Sequence, residues 1–249
     1  MPSARASTQP SLGVLAFGDS ITNGGGELQW GVALQSWALW LARALGMPYT
    51  GYAVDGARVG GVLAAQIPAF AQRAADPQGR YDIGCLYIGV NDVCAADWDP
   101  AGFAAGYDRA LAFLTPRCRR ALTLTAPLGL GLPRAGAKVR ELNAAITSAA
   151  GRHGALVVDL SDFGARNHVM ADRVHPTAFG QIAIAERALA VLEGDGVPVR
   201  VAPSSLIAFQ TSRHGRLRGD LTYAYRSAKV MAGAGAARVR PSGRAGRNR

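Results

Sequence analysis

The sequence predicts an α/β fold in which one parallel five-stranded sheet lies between two layers of helices. Five short apolar runs alternate with segments whose apolar residues recur at helical spacing, which is the pattern of successive βαβ units. The third run, residues 82–88, is nearly continuous in apolar residues, as a strand buried on both faces requires. We therefore expect a three-layer α/β/α sandwich.

Each predicted element follows from its own pattern. The predicted strands are residues 12–17, 49–54, 82–88, 121–126 and 155–160. Trp37, Leu41 and Leu45 recur at four-residue spacing and predict a helix that Gly46 ends. Similar spacing predicts helices at residues 59–71, 103–114, 139–149 and 178–192. Pro68 is expected to kink or end the helix at 59–71. The alternation is typical of a flavodoxin-like, doubly wound sheet.

Length and composition predict one domain with an appendage. A chain of 249 residues that is 49% hydrophobic can build a single large core and still leave residues over. Turn-forming residues at 194–198 mark the predicted boundary. We therefore divide the chain into a flexible segment at 1–11, a domain at 12–194 and an extension at 195–249.

The formal net charge of +10 lies entirely in residues 200–249, within the extension. Residues 1–199 contain 16 basic and 16 acidic residues, whereas residues 200–249 contain 11 basic residues and one acidic residue. A basic function, if there is one, therefore belongs to the last fifth of the chain and not to the domain.

The extension has the pattern of a basic amphipathic helix at about residues 217–231. Its apolar residues at helical spacing are Leu217, Leu221, Ala224, Tyr225, Ala228 and Met231, and its cations on other faces are Arg218, Arg226 and Lys229. A Gly/Ala/Arg segment that we expect to be disordered follows. The helix could dock on its own domain, contact an anionic membrane surface or contact nucleic acid.

Two further patterns bear on where the protein works. No run of 18 apolar residues occurs, and the polar first eleven residues lack the apolar stretch of a secretory signal. The cysteines Cys85, Cys94 and Cys118 are an odd set without metal-ligand spacing. We expect a cytoplasmic protein with reduced, mostly buried thiols.

Ser20 is the candidate nucleophile. It follows Gly18 and Asp19 at the end of the first predicted strand, and open α/β sheets bind their ligands outside the carboxyl ends of their strands. The alternative is that these residues form an ordinary strand-to-helix turn in which Ser20 or Thr22 caps a helix.

Polar candidates follow other strands in the same way. Gly56 comes after the second strand, Asn91 after the third, and Asp172 with His175 after the fifth. A neutral imidazole can take a proton from a serine hydroxyl near pH 7, so His175 is the candidate base, and Asp172 can orient it. The backbone N–H groups of Ser20 and Gly56 and the Asn91 amide could bind an oxyanion. Taken singly, each could instead cap a helix or form a turn.

Two other histidines are weaker candidates for the base. His168 lies on the correct side of the sheet but lacks an acidic residue three positions before it. His153 precedes the fifth strand, at the opposite end of the sheet, and is expected to be structural.

Four blocks in this order resemble the sequence blocks of the SGNH hydrolase family, also called GDSL esterases and lipases. The blocks are Gly18-Asp19-Ser20-Ile21, Gly56, Gly89-Val90-Asn91-Asp92 and Asp172-Arg173-Val174-His175-Pro176, within residues 12–192. The resemblance implies an α/β/α fold and ester hydrolysis through an acyl-serine without metal or other cofactor. It implies Ser20 as nucleophile, Asp172 and His175 as its catalytic partners, and Ser20, Gly56 and Asn91 as oxyanion donors.

One departure from the family pattern affects the oxyanion site. Asp55 stands before Gly56, where such proteins often have an asparagine. Its carboxylate would place negative charge near the oxyanion unless a cation such as Arg58 pairs with it.

The substrate is predicted to be a small ester. Asp19, Trp30, Asp92 and Trp98 are candidate pocket residues, and the loops at 22–37, 93–103 and 127–134 are candidate pocket walls. The two tryptophans could stack on a sugar or an acyl chain, or be partly buried loop anchors. Short loops favour small acyl esters or O-acetylated sugars and metabolites. The alternatives are an acyltransferase that uses the same acyl-serine, or an inactive binding module directed by its basic tail. No obligate protein partner is evident.

Overall fold

A parallel five-stranded sheet organises the domain. The computed structural model describes residues 12–28, 32–73, 79–131, 134–207 and 212–239, with backbone alone for residue 216 and residues 233–239. The predicted flexible segment at 1–11 and the last ten residues lie outside this part of the chain. The strands are β1 (Val14–Gly18), β2 (Tyr49–Gly51), β3 (Tyr81–Tyr87), β4 (Cys118–Leu124) and β5 (Leu156–Val158).

The strand order is β2-β1-β3-β4-β5, and every neighbouring pair is parallel. This topology confirms the predicted α/β/α fold. The order reverses between β1 and β3, so the crevice at their carboxyl ends is the place where such a sheet binds ligands.

The predicted strands match the observed ones with shifted ends. β4 begins at Cys118, three residues before the predicted start, because Arg119 and Arg120 at the sheet's amino edge point their charges to solvent and pair with Asp82 and Asp195. β2 ends at Gly51 instead of residue 54, although the N–H groups of Tyr52 and Val54 still donate to β1 carbonyls.

Helices cover both faces of the sheet. They are α1 (Ser20–Asn23), α2 (Trp37–Leu45), α3 (Val59–Gly61), α4 (Ile67–Arg73), α5 (Val90–Cys94), α6 (Pro100–Leu114), α7 (Lys138–His153), α8 (Ala178–Gly194) and α9 (Arg213–Val239), with short 3₁₀ turns at Thr115–Arg117 and Pro203–Leu206. α2 packs against α8 in one layer, and α6 packs against α7 in the other. Within the described ranges, no helix has both the length and the hydropathy needed to cross a bilayer.

The helix at 59–71 contains the irregularity expected near Pro68, one turn earlier than the proline itself. Residues Val62–Gln66 form a π-helical turn, and the Ile67 N–H donates to the Val62 carbonyl five residues back. Proline offers no N–H, so a regular helix would leave a carbonyl of the preceding turn without its donor. The wider turn absorbs this defect, and α4 continues to Arg73.

The domain extends past the predicted boundary at residue 195. Val197 and Pro203 are buried, and the N–H groups of Arg200 and Val201 donate to the Ala44 carbonyl at the end of α2. Residues 195–207 therefore pack on the domain. The predicted tail helix is longer than expected, since α9 begins at Arg213 and ends at Val239.

Candidate active site

The turn after β1 places Ser20 at the carboxyl ends of the parallel strands. Asp19 is the N-cap of α1, and its Oδ1 accepts the Ile21 N–H at 3.0 Å, so Ser20 becomes the first residue of a one-turn helix. A Cβ at position 18 would lie 2.5 Å from the Tyr87 carbonyl oxygen, so only glycine lets the chain turn this close to β3.

Two buried glutamines that the sequence analysis missed hold this turn. The Gln66 side chain accepts the Gly18 N–H at 3.0 Å and donates to the Gly18 carbonyl at 2.7 Å. The Gln181 side chain accepts the Trp37 N–H and donates to the carbonyls of Ile21 and Gly25. Both amides are at most 1% exposed, and a buried polar group is retained only when it is paired. A lone glutamine among inward-facing apolar helix residues is the signal that could have revealed them.

The loop before α8 positions Asp172 and His175. Oδ1 of Asp172 accepts the backbone N–H groups of Val174 at 2.9 Å and His175 at 3.1 Å, which closes a tight turn. Arg173 within it has a φ of 56°, a left-handed conformation that is unusual for a residue with a side chain. The hydrogen bonds of Asp172 hold the aspartate next to the histidine within this turn.

Ser20, His175 and Asp172 form a continuous hydrogen-bonded chain. The distance from Ser20 Oγ to His175 Nε2 is 2.9 Å, and that from His175 Nδ1 to Asp172 Oδ2 is 2.8 Å. The serine is 155 residues from the histidine in sequence, yet their side chains meet at the rim of the sheet. A hydroxyl, an imidazole and a carboxylate in this sequence of contacts are what attack by a base-activated hydroxyl requires.

The environment favours a charged Asp172 and a basic His175. The hydrogen bond to Asp172 raises the pKa of His175 above its ordinary value of 6.5, with burial opposing and the Asp19 and Asp55 carboxylates adding to the rise. Burial alone would raise the pKa of Asp172, but its hydrogen bonds from the His175 ring and two backbone N–H groups lower it overall. The imidazole is therefore a stronger base than a free histidine.

The turns that carry Gly56 and Asn91 are tied to each other. Asn91 Nδ2 donates to the Ala57 carbonyl at 2.9 Å, and both carboxylate oxygens of Asp92 accept the Val59 N–H at 3.2 Å. Gly56 has a φ of 72°, which a residue with a Cβ adopts only with strain. These contacts hold two of the predicted oxyanion donors on adjoining turns at the carboxyl ends of β2 and β3.

A family model covers the residues of this site. Residues 16–182 match the model of the GDSL-like Lipase/Acylhydrolase family. The chain belongs to this family. Comparison with curated protein sequences finds no match.

Solved structures of related proteins have the same fold as this GDSL-like chain. LAE5, an alpha/beta hydrolase from the metagenome of Lake Arreo in Spain, has 21% identity and a TM-score of 0.57, over 74% of this chain and 96% of its own. Axe2, an acetylxylan esterase from Geobacillus stearothermophilus, has 19% identity and a TM-score of 0.56, over 73% and 94%. A member of the lipolytic G-D-S-L family from Veillonella parvula has 23% identity and a TM-score of 0.58, over 72% and 97%.

Arg58, the cation nearest to Asp55 in sequence, pairs with another carboxylate. Arg58 donates to both oxygens of Asp97 at 3.0 Å, while Asp55 accepts the Asn23 side-chain amide at 2.9 Å. Arg58 therefore does not neutralise Asp55, because its guanidinium reaches Asp97 in the loop after α5. The amide of Asn23 instead ties Asp55 to the end of α1.

Three of the four predicted pocket residues have other roles in the structure, and the fourth, Trp30, lies outside the described residues. Asp19 is 1% exposed and caps α1 through its bond to the Ile21 N–H. Asp92 is 9% exposed, and its carboxylate accepts the Val59 N–H. Trp98 packs on Phe103 and donates its Nε1–H to Glu141, so it anchors its loop. Burial raises the pKa of Asp19 to about 7, with its backbone hydrogen bond and His175 opposing.

A cavity of about 300 Å³ lies beneath the loop that carries Asp172 and His175. Most of its walls come from residues 163–176, and Ile21, Tyr87, Ile184 and Tyr223 also line it. Neither the Ser20 nor the His175 side chain lines it, although their neighbours Ile21 and Pro176 do. Of the predicted pocket walls, the loop at 127–134 contributes Pro127 and Gly129. The loop at 163–176 and the tail helix were not expected there.

The remaining histidines lie away from the hydrogen-bonded chain. His168 stacks on Phe163 with ring centroids 5.6 Å apart, and burial lowers its pKa. His153 Nε2 lies 3.0 Å from an Asp108 oxygen, at the far end of α7. Cys85 and Cys118 are buried and Cys94 is exposed. Among the residues whose side chains are described, no group of three or more His, Cys, Asp or Glu is arranged to bind a metal ion.

Proposed function

We propose that the protein is a serine hydrolase that cleaves carboxylic esters through an acyl-serine intermediate. The observation that carries the proposal is the contact chain from Ser20 Oγ through the His175 ring to Asp172, with distances of 2.9 and 2.8 Å. A serine within hydrogen-bond reach of an oriented imidazole is the arrangement that activates a hydroxyl as a nucleophile. Membership of the GDSL-like acylhydrolase family supports the same reaction class.

In the acylation step, Ser20 Oγ attacks the ester carbonyl carbon while His175 Nε2 takes the hydroxyl proton. Asp172 holds the Nδ1–H and stabilises the imidazolium that forms. When the tetrahedral intermediate collapses, the carbon–oxygen bond to the alcohol breaks and Nε2 returns the proton to the departing oxygen. The alcohol leaves, and the acyl group stays on Ser20.

In the deacylation step, water takes the place of the alcohol. His175 removes a proton from the water, whose oxygen attacks the acyl carbon. The second tetrahedral intermediate then breaks its bond to Ser20 Oγ, which regains the proton from Nε2. A carboxylic acid is released, and the residues return to their starting state.

The oxyanion of both intermediates would be bound by donors from three turns. The Ser20 N–H is a first-turn helix donor, which has no acceptor within its own helix. Asn91 Nδ2 uses one hydrogen on the Ala57 carbonyl and keeps a second for a ligand. Gly56 presents its N–H with no side chain in the way.

We favour small acyl groups, such as acetyl esters of sugars or other metabolites. One structural relative, Axe2, is an acetylxylan esterase. The Ser20 and His175 side chains are half-buried and do not line the 300 Å³ cavity, so the proposal assigns the acyl group no place in that cavity.

The test is hydrolysis of p-nitrophenyl esters of increasing acyl length. We expect Ser20→Ala to abolish turnover and the surface variant Ser205→Ala to retain it, with highest kcat/KM for acetate. Mass spectrometry of wild type mixed with a slow ester should show the acyl group on the peptide that contains Ser20. Full activity in Ser20→Ala, or an acyl group on another residue, would contradict the proposal.

A further inference from the structure

The tail helix α9 is held on the domain by one face. Arg166 forms an ion pair with Asp220 at 3.1 Å and lies over the Tyr223 ring at 5.3 Å. Arg226 forms an ion pair with Glu27. Tyr223 also lines the cavity beneath the loop that carries Asp172 and His175. The docked face thus consists of partly buried residues between 215 and 230 that recur every three or four positions.

The opposite face of α9 is an apolar stripe in solvent. Leu217, Leu221, Tyr225 and Met231 have exposed fractions of 58%, 64%, 69% and 61%. At 100° per residue these four side chains, with Ala224 and Ala228 between them, fall within an arc of about 120°. Four of the nine large apolar side chains that the structure shows exposed therefore lie on this one stripe. We call it the α9 stripe.

Cations border the α9 stripe. Arg218 and Lys229 lie next to Tyr225 on the helical wheel, and Arg213 lies near Met231. All three are exposed, whereas Asp220, the single acid of residues 200–249, is already paired with Arg166. The surface that surrounds the stripe is therefore positively charged with no acid available to neutralise it within the described part of the helix.

We propose that the α9 stripe docks on an anionic lipid surface. A helix with leucines and an aromatic residue on one face and cations at the border of that face lies in the interface of a bilayer, with its apolar side chains among the acyl chains. Each arginine or lysine near an anionic leaflet adds to the attraction. A second copy of the chain would bring like charges together, and nucleic acid would leave the leucines in water.

Docking would place the candidate active site close to the membrane. Tyr223 is on the domain side of the same helix and lines the cavity beneath the loop that carries Asp172 and His175. That cavity would therefore lie one helix diameter, about 10 Å, from the lipid. The proposal concerns binding alone and holds whether or not Ser20 cleaves esters.

The test measures binding of the full-length protein to vesicles by co-sedimentation. We expect binding to equimolar phosphatidylcholine and phosphatidylglycerol and little to phosphatidylcholine alone. The double variant Leu217→Gln, Leu221→Gln should bind about 100-fold more weakly, since burying a leucine is worth about tenfold or more. Arg218→Gln with Lys229→Gln should lose about 25-fold on the anionic vesicles. Leu206→Gln, an exposed leucine outside α9, is the matched control and should bind like wild type.

Circular dichroism of each variant checks that it is folded, so that a loss of binding reflects the surface. The proposal is overturned if wild type does not bind the anionic vesicles, or if the leucine variant binds them as well as Leu206→Gln does. It is also overturned if wild type binds a duplex oligonucleotide more tightly than the vesicles, or if the leucine substitutions act only by dissociating a dimer.

Discussion

Two aspartates in different regions of this protein each contact a basic side chain, one within a partly buried turn and the other on an exposed helix. Asp172 contacts His175 at 2.8 Å, and the exposed fractions of the two side chains are 35% and 33%. Asp220 contacts Arg166 at 3.1 Å, with exposed fractions of 53% and 58%. The first carboxylate also accepts two backbone N–H groups of its own turn, whereas the second lies on an exposed helix.

The difference shows that a contact between an aspartate and a basic side chain can either orient a site residue or hold a helix on the domain. A partly buried carboxylate with several donors is held in one orientation, so it can fix the tautomer of a histidine. An exposed pair is worth about 0.2–1 kcal/mol and weakens in salt, so it holds a helix on the domain only weakly. The two regions should therefore respond differently to substitution.

The largest effect is expected for Asp172→Asn. An amide keeps the size of the side chain but can no longer stabilise an imidazolium, and it can present an N–H to the ring and so favour the wrong tautomer. We expect kcat for ester hydrolysis to fall by about 10⁴-fold. Asp220→Asn is the matched control and should leave kcat unchanged. Equal kcat values for Asp172→Asn and wild type would remove the distinction between the two aspartates.

The next largest effect is expected for Asn91→Ala. Loss of one oxyanion donor costs about 100- to 1000-fold in kcat, with a small change in KM, because the donor acts mainly in the transition state. Asn143→Ala serves as control. The Asn143 side chain also forms hydrogen bonds with backbone groups, those of Ala126, but it is not one of the predicted oxyanion donors. A change in KM with kcat intact would assign Asn91 to substrate binding instead.

A smaller effect is expected on the pH profile of Asp19→Asn. Hydrolysis needs a neutral imidazole, and the pKa of His175 is raised above 6.5, so kcat/KM should rise with pH through a midpoint above 6.5. Removing the Asp19 carboxylate, which contributes to that rise, should shift the midpoint to lower pH, while asparagine still caps α1.

The profile of wild type also contains the ionisation of Asp19 itself, whose pKa is about 7 because the carboxyl is buried. The variant should therefore show a simpler curve. Asp162→Asn, at an exposed carboxylate paired with Arg187, should leave the midpoint in place. A midpoint that moves to higher pH in Asp19→Asn would contradict the electrostatic account.

The smallest effect is expected for Arg166→Ala. The substitution removes the pair with Asp220 and the contact with the Tyr223 ring, each worth about 1 kcal/mol or less at an exposed site. Hydrogen exchange should become several-fold faster in α9 and stay unchanged in the sheet. Arg152→Ala, which breaks the exposed pair with Asp108, should leave α9 unaffected. Faster exchange in β1 and β3 would show that α9 belongs to the cooperative core.

The sequence by itself determined the layers of the fold and the end of the sheet that carries the polar residues. Apolar runs and helical periodicity are local patterns, so strands, helices and the turns after Ser20, Gly56 and Asn91 could be read from neighbouring residues. The tight turn of Asp172 and His175 is local as well, since its hydrogen bonds span three residues.

Only the tertiary structure decided which distant groups meet. Gln66 and Gln181 reach the Ser20 turn across 48 and 160 residues, and no local pattern shows which backbone atoms a buried amide will find. Arg58 pairs with Asp97 and not with Asp55 for the same reason. The sequence showed that the tail helix is amphipathic, but the packing of Tyr223 and Arg166 decided that its apolar stripe faces solvent. Side-chain pairing depends on how the chain brings elements together in space, which periodicity does not contain.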